Sequence, residues 1–303
     1  MAFETNKFSV AKKIKLPSSD FAVECNVSLG CEIGKILSVG VKANEEANEV
    51  LNGIVNYSGS VDLKIIYMTN DGEINSSCHS CAFSSKFESN DIVSGGDAFI
   101  VLKVVDSSVE SISGDTIRLV VNLNQSGVLS YEKEVDTIGS SDEDVCTRNE
   151  EIEVVRLVGS KKDGFEVESS VTIKENIKKL LTTESQVLLK SVEGGTGFVS
   201  LQDDVLTRVL YLTDEDKFES FYMTESFKEE IEVDGAEKEN IVEAYLSVKE
   251  ENVSSEIEND DNGQKLTVKV PVKAYIKVYK SEVVSVISDL YSTKEEINVT
   301  TES

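Results

Sequence analysis

The side chains with the most versatile chemistry in this sequence are those of five cysteines and a single histidine. The five cysteines all lie in the first half of the chain: Cys25, Cys31, Cys78, Cys81 and Cys146. Cys78-His79-Ser80-Cys81 forms a C-x-x-C pair around the only histidine. A thiolate can form a disulfide, attack an electrophile or bind a soft metal ion, so this arrangement suggests redox, cross-linking or metal chemistry.

The spacing of the cysteines does not favour a metal site or a thioredoxin-like site. Four-thiolate zinc sites usually combine two short knuckles, and the interval from Cys25 to Cys31 is too long for one. A thioredoxin-like pair needs a βαβ context, whereas Cys78 and Cys81 lie in a stretch with a β pattern. Three interpretations stay open: cross-linking or redox-responsive thiols in an assembled layer, inert cysteines, and a metal site. We take all five cysteines as candidate cross-linking thiols and expect no bound metal.

No group of residues supplies a nucleophile together with a base and an orienting group. His79 is the one histidine, and it lies between two cysteines. The glycines of Gly194–Gly197 lack the Lys-Ser/Thr of a phosphate-binding loop, and the acidic runs at 214–216 and 260–263 lack the EF-hand pattern. These segments are typical of tight turns and hairpin tips. We therefore expect no enzyme, no catalytic residue and no cofactor.

The charge balance restricts the class of partner. Lys and Arg number 30 against 56 Asp and Glu, a net charge of −26. Such a chain is a poor ligand for nucleic acid phosphates or for anionic membrane surfaces. With 40% hydrophobic residues it can still bury a core. We see no secretory signal and no apolar run long enough for a membrane span, and we expect a protein made in the cytoplasm without membrane insertion.

Apolar residues and glycines recur at a shift of 144 positions. The pairs include Phe21 and Phe165, Ile33 and Ile177, Gly53 and Gly197, Val61 and Val205, Tyr67 and Tyr211, and Phe83 and Phe227. The second copy carries an insertion near 259–263, after which the shift is 149. The pattern predicts two domains, 1–150 and 151–303, joined by an acidic linker at 140–151. At the four positions matching Cys25, Cys31, Cys78 and Cys81 the second copy has Ser169, Glu175, Tyr222 and Glu225, so the fold does not require the thiols.

The strands that must position these residues show a period of two. Leu266, Val268, Val270 and Val272 alternate with polar residues, and glycine-containing turns such as Asn70-Asp71-Gly72 separate the runs. Pro271 within such a run predicts an edge strand or a bulge, and residues 174–181 predict one short helix. The fold class expected is all-β: two tandem β-sandwich or barrel-like domains related by internal duplication.

A recurrent order of short motifs carries a family resemblance. In the second copy these motifs are Gly197-Phe-Val, Val209-Leu-Tyr211, Thr224-Glu-Ser-Phe227, Leu266 to Val272, and Asp289-Leu-Tyr291-Ser292. The first copy has Gly53-Ile-Val, Ile65-Ile-Tyr67 and Phe83, with Asp136-Thr-Ile-Gly139 in place of the closing turn. This order resembles the N-terminal domain family of SipL-type clostridial spore-coat morphogenetic proteins. The sugar-binding LysM module often attached in that family is not recognisable here.

The resemblance implies a structural protein of the endospore surface: a coat, exosporium or appendage component. Such a protein is made in the mother-cell cytoplasm without a signal peptide and deposited on the spore. Its partners would be itself, as a homo-oligomer or polymer, and other spore-coat proteins, with residues 1–16 as a possible extended arm that adds a strand to a neighbour. The alternative is a carbohydrate or cell-surface binding module without catalysis.

Overall fold

The computed structural model describes residues 4–140, 145–249, 252–260, 263–292 and 294, and its elements are strands. The first half contains β1 (Glu4–Ser28), β2 (Ile33–Leu51), β3 (Ile54–Thr69), β4 (Ile74–Glu88), β5 (Asp97–Ser113) and β6 (Thr116–Ser140). The second half contains β7 (Val145–Ile173), β8 (Ile177–Gly194), β9 (Phe198–Thr213), β10 (Phe218–Glu232), β11 (Ile241–Val248), β12 (Ser254–Asp260) and β13 (Gly263–Ser292). The predicted all-β class is confirmed.

Each half consists of two antiparallel sheets. In the first half, the sheet β1-β6-β5 faces the sheet β2-β3-β4. In the second half, β13 pairs with β7 along one side and with β11 and β12 along the other, and this sheet faces β8-β9-β10. The two halves therefore run through equivalent strands in the same order. Their common origin by duplication stays a prediction.

The alternation seen in the sequence explains why these segments form a sandwich. Along β13, Leu266, Val268 and Val270 are fully buried while their neighbours face outward, because successive side chains of a strand point to opposite faces. In β3, Val61, Leu63 and Ile65 form a buried row of the same kind. The inner faces of the two sheets meet to form the core of each half, as expected for packed sheets.

Small irregularities recur at the same places in both halves. The bulges of the β2–β3 pair lie at 33/35, 36/38 and 45/47, and those of the β8–β9 pair lie at 177/179, 180/182 and 189/191, a shift of 144 each time. Gly53 and Gly197 both have φ near 81°, and Asp216 takes the left-handed position that Gly72 holds in the first half. Bulges bend strands at defined points, so the two halves share their local geometry as well as their strand order.

The short helix predicted for 174–181 is wrong, because β8 begins at Ile177. Two bulges each insert one extra residue in this stretch. Because of these extra residues, the apolar positions Ile177, Leu180 and Leu181 do not alternate with polar ones as in a regular strand. Their spacing of three and four residues is instead the spacing expected on one face of a helix. The helix-like spacing of apolar residues in this segment is thus caused by bulges in a strand.

Three further expectations need correction. Residues 145–151, predicted as part of an acidic linker, begin β7 and pair with 285–292, while 141–144 lie outside the described residues. Of the predicted arm, 1–16, residues 1–3 lie outside the described residues, and residues 4–16 are extended but pair with β6 of the same chain and are not a free arm. Pro271 lies in the central strand β13. It is opposite the gap between β11 and β12, where neither of these two strands pairs with β13. A residue without a backbone N–H is tolerated where a ladder is broken.

No helix long and apolar enough to cross a membrane occurs in the part of the chain that the structure describes.

We predict that Gly53→Ala and Gly197→Ala each lower the free energy of unfolding by about 1 kcal/mol. A Cβ meets no heavy atom at either position, so the cost comes from the left-handed backbone, which L-residues other than glycine disfavour. Urea denaturation of the two variants measures the loss. Gly164→Ala in β7, where φ is not positive, is the control and should change stability by less than about 0.5 kcal/mol. A full-sized loss in the control, or none in the variants, would contradict the interpretation.

Candidate functional site: thiols, ribbons and the cleft between the halves

The C-x-x-C pair is divided between the two faces of one strand. Cys78 and Cys81 both lie in β4, and because residues three apart in a strand point to opposite faces, their side chains diverge. Cys78 is exposed, whereas Cys81 is half-buried and packs against the core. The pair therefore cannot form one metal knuckle.

Cys25 meets Cys81 across the sandwich. Cys25 is 1% exposed, and its thiol interacts with that of Cys81 from the facing sheet. Burial, reinforced by Cys81, raises the pKa of Cys25 to about 12. Since the thiolate is the reactive form, Cys25 is inert toward outside reagents in the folded protein at neutral pH.

Cys31 lies beside a buried tyrosine. Its Sγ is 3.5 Å from the hydroxyl oxygen of Tyr67, which is 5% exposed. Burial, with Cys31 nearby, raises the pKa of Tyr67 to about 12. Tyr67 and its counterpart Tyr211 are thus packed aromatic residues.

Cys146 is exposed and lies in β7 opposite Tyr291 of β13. The two side chains interact, since Cys146 is the main cause that raises the pKa of Tyr291. Tyr291 is itself 61% exposed. Of the five candidate thiols, Cys78 and Cys146 are therefore the two that are exposed.

Cys146 belongs to one of two ribbons that extend beyond the sheets. The first ribbon is residues 4–12 of β1 with 131–140 of β6, and the second ribbon is residues 145–156 of β7 with 280–292 of β13. The third strands stop short of them, because β5 starts opposite Ser130 and β11 starts opposite Tyr279. Among the described residues, no third strand pairs with either ribbon. Elsewhere along these strands, β1 contacts β7 and β6 contacts β13.

His79 has one close polar neighbour. Its Nε2 lies 2.7 Å from Ser77 Oγ, and partial burial lowers the pKa of the imidazole. No carboxylate hydrogen-bonds to this ring among the described side chains. In the same ranges, no three His, Cys, Asp or Glu residues are grouped closely enough to hold a metal ion.

The two halves are joined by apolar and charged contacts. Ile66 and Ile74 of the first half pack with three leucines of the second, which are Leu181, Leu210 and Leu212. Three ion pairs also cross the join: Lys13–Glu243 at 2.5 Å, Lys249–Glu46 at 2.8 Å and Lys277–Asp97 at 3.7 Å. In addition, the Lys64 ammonium group donates to the Thr183 carbonyl. The join is therefore a specific contact and not a flexible connection.

A cleft of about 620 Å³ opens along this join. Its aromatic wall consists of Phe99 from the first half and Tyr245 and Tyr275 from the second, and the Phe99 and Tyr245 rings stack at 3.9 Å. The charged residues around it are Lys162, Lys249, Lys273, Glu45, Glu46 and Asp163. Their formal charges cancel, so this cleft is neutral in a strongly anionic protein.

Sequence reasoning missed the aromatic wall. The residues at a shift of 144 from Phe99 and Tyr245 are Glu243 and Val101, so the repeat gives no signal for the wall. The wall exists only because the two halves pack against each other.

Lys277 is the most buried charge at the join. Its side chain is 3% exposed and pairs with Asp97, and its ammonium lies 5.1 Å from the centre of the Tyr275 ring. Burial lowers the pKa of Lys277, with Lys13 acting in the same direction, while Asp97 and Glu243 oppose the shift. The removal of an ammonium from water outweighs its ion pairs here.

The chain matches no protein-family model, and no curated protein or solved structure is significantly similar to it.

We predict that the stability of the wild-type protein rises with pH in the alkaline range, and that Lys277→Met removes this rise. The pKa of Lys277 in the folded protein lies below the unfolded value of 10.5. Between these two pH values, the unfolded chain therefore holds more protons than the folded protein. The wild-type free energy of unfolding therefore rises with pH through that window, relative to the variant. Urea denaturation from pH 7 to 10.5 measures the difference between the two proteins.

The control is Lys280→Met on the same strand, where the lysine is 48% exposed and pairs with Glu237. This variant should follow the wild-type pH dependence. A constant difference between wild type and Lys277→Met across the whole range would contradict the argument.

Proposed function

We propose that the protein is a structural, self-associating subunit of the bacterial endospore surface. The observation that carries the self-association is the pair of ribbons, whose edges no third described strand occupies. Unpaired backbone N–H and C=O groups along a strand edge are a template for pairing with another chain. A rigid two-sandwich body that ends in open edges suits assembly by added strands.

Apolar side chains on the second ribbon support the same proposal. Val283 is 65% exposed and Tyr291 is 61% exposed, on a segment that also presents Cys146. Tyrosines are enriched where proteins meet. Contact between second ribbons of neighbouring subunits would cover these side chains and bring two Cys146 thiols together.

Cross-linking through Cys146 is the chemistry we propose for the mature layer. Two thiols of neighbouring subunits lose two protons and two electrons to molecular oxygen or a small disulfide, and one S–S bond forms. Thiols stay reduced in the cytoplasm of the producing cell and can oxidise after release. The assignment to the endospore rests on the resemblance to SipL-type proteins.

A carbohydrate-binding module is the second candidate, and the cleft is the observation that favours it. Tyr245 is 39% exposed there and stacks on Phe99, with polar groups of both signs around the rim. Ligand sites combine apolar aromatic walls with a few polar groups that fix orientation. A sugar ring would stack on this wall.

For the leading proposal, we expect concentrated protein to form ordered fibres or sheets in electron micrographs. We also expect assembled wild type to give a disulfide-linked dimer band on non-reducing electrophoresis, which reductant abolishes and Cys146→Ser removes. Cys25→Ser is the matched control, since the Cys25 thiol is buried, and it should keep the covalent dimer. Wild type that stays a dispersed monomer would overturn self-association, whereas a covalent dimer that persists in Cys146→Ser would move the bond to another thiol.

For the second candidate, we expect Tyr245→Ala to weaken binding to a cell-surface glycan array at least tenfold, about 1.4 kcal/mol. Tyr222→Ala removes a tyrosine that is 65% exposed and lies outside the cleft, so it should leave binding unchanged. Equal effects of the two changes, or no glycan bound by wild type, would remove this candidate.

A further inference from the structure

The free edge of β4 differs in charge from the other edges of the molecule. No Asp, Glu, Lys or Arg occurs from Asn75 to Ser85, and no described strand pairs with β4 on the side away from β3. Edge strands of soluble proteins are usually protected by charged side chains, prolines or bulges. The β4–β3 pair is also free of bulges.

The equivalent edge strand of the second half, β10, is protected by charged side chains. β10 carries Glu219, Glu225, Lys228, Glu229, Glu230 and Glu232. It has the same length and the same place in its sheet as β4. The neutral edge is therefore a property of β4 and not a requirement of the fold.

The middle of β4 is also accessible. Near its start, Lys179 of the second half contacts Asn75, and near its end the Gln125 amide donates to the Lys86 carbonyl at 3.2 Å. Between these contacts, Cys78, Ser80 and Ala82 are exposed on the outer face. Ser84 is exposed as well, and the segment from Cys78 to Ser84 is about 20 Å long at the usual rise per residue.

We propose that β4 is a homodimerisation edge, along which two copies of this chain pair antiparallel about a two-fold axis at Ser80. A second copy is the fitting partner because two surfaces of a protein with net charge −26 repel unless they meet where charge is absent. This inference deepens the proposed self-association and rests on it, but it concerns a different edge from the ribbons.

The two-fold axis fixes which side chains face each other. In a pairing centred on Ser80, Cys78 of one copy lies opposite Ala82 of the other, on the same face of the joined sheet. Directly opposite Cβ atoms are about 4.5–5.5 Å apart. The wild-type contact therefore does not place two Cys78 thiols together, and it leaves the cross-link test of Cys146 unaffected.

A charge-exchange experiment tests the pairing. We expect Cys78→Glu/Ala82→Glu and Cys78→Lys/Ala82→Lys each to weaken the dimer at least tenfold, since each double variant opposes like charges twice. A one-to-one mixture of the two variants should restore association, because every opposed pair then has opposite signs. Sedimentation in reductant measures association, and circular dichroism checks that each variant is folded.

Matched changes on β10 provide the control. Tyr222→Glu/Ser226→Glu occupies the equivalent positions, at a shift of 144, and should leave the dimer unchanged. The pairing is overturned if the β4 variants associate as wild type does, or if their mixture fails to recover. Wild type that is monomeric throughout would instead overturn the proposed self-association as a whole.

A thiol trap tests the register. Ala82→Cys in a Cys146→Ser background should give a covalent dimer with oxidised glutathione, through bonds between Cys78 and the introduced thiol. Adding Cys78→Ser should abolish the trap. Association without a trapped dimer would overturn the pairing about Ser80.

Discussion

The structure depends on burying one face of every sheet against a facing sheet. Because side chains alternate along a strand, each strand delivers an apolar row inward and a polar row outward, and only a second sheet can cover the inner row. Val61 and Leu63 of β3 and Leu119 and Val121 of β6 meet in this way and are wholly withdrawn from water. The direction of every other side chain, including the five thiols, follows from this condition.

The charge of the chain sets the second condition. Acidic residues outnumber basic ones by 56 to 30, and Lys13, Lys249 and Lys277 all form ion pairs across the join between the halves. These pairs offset carboxylates that would otherwise repel there. The outside stays anionic, and this limits the surfaces through which two copies can approach each other.

Much of this organisation follows from the sequence, and the exceptions have physical causes. The alternation of Leu266, Val268 and Val270 indicates a half-buried strand, and the glycine at 53 or 197 indicates a turn with positive φ. The bulges of β8 could not be anticipated, since an extra residue shifts the phase of the pattern and imitates a helix.

For the candidate site, the sequence names the thiols but not their directions. Cys78 and Cys81 read as a pair until the strand places them on opposite faces. The wall formed by Phe99 and Tyr245 has no sequence signal, because its two rings come from different halves. Local patterns predict strands, whereas sites formed by docking depend on contacts between residues far apart in the chain.

The ribbon geometry also determines how the protein would respond to mechanical tension. Glu4 pairs with Ser140, and Ser292 pairs with Val145 only a few residues further along the chain, so Glu4 and Ser292 lie at one end of the molecule, within about 30 Å of each other. A pull applied through these two ends would unzip the ladders one hydrogen bond at a time, which takes far less force than shearing a whole strand along its partner. In a fibre or sheet under strain, subunits joined edge to edge would hold, whereas subunits tethered through their chain ends would peel open first.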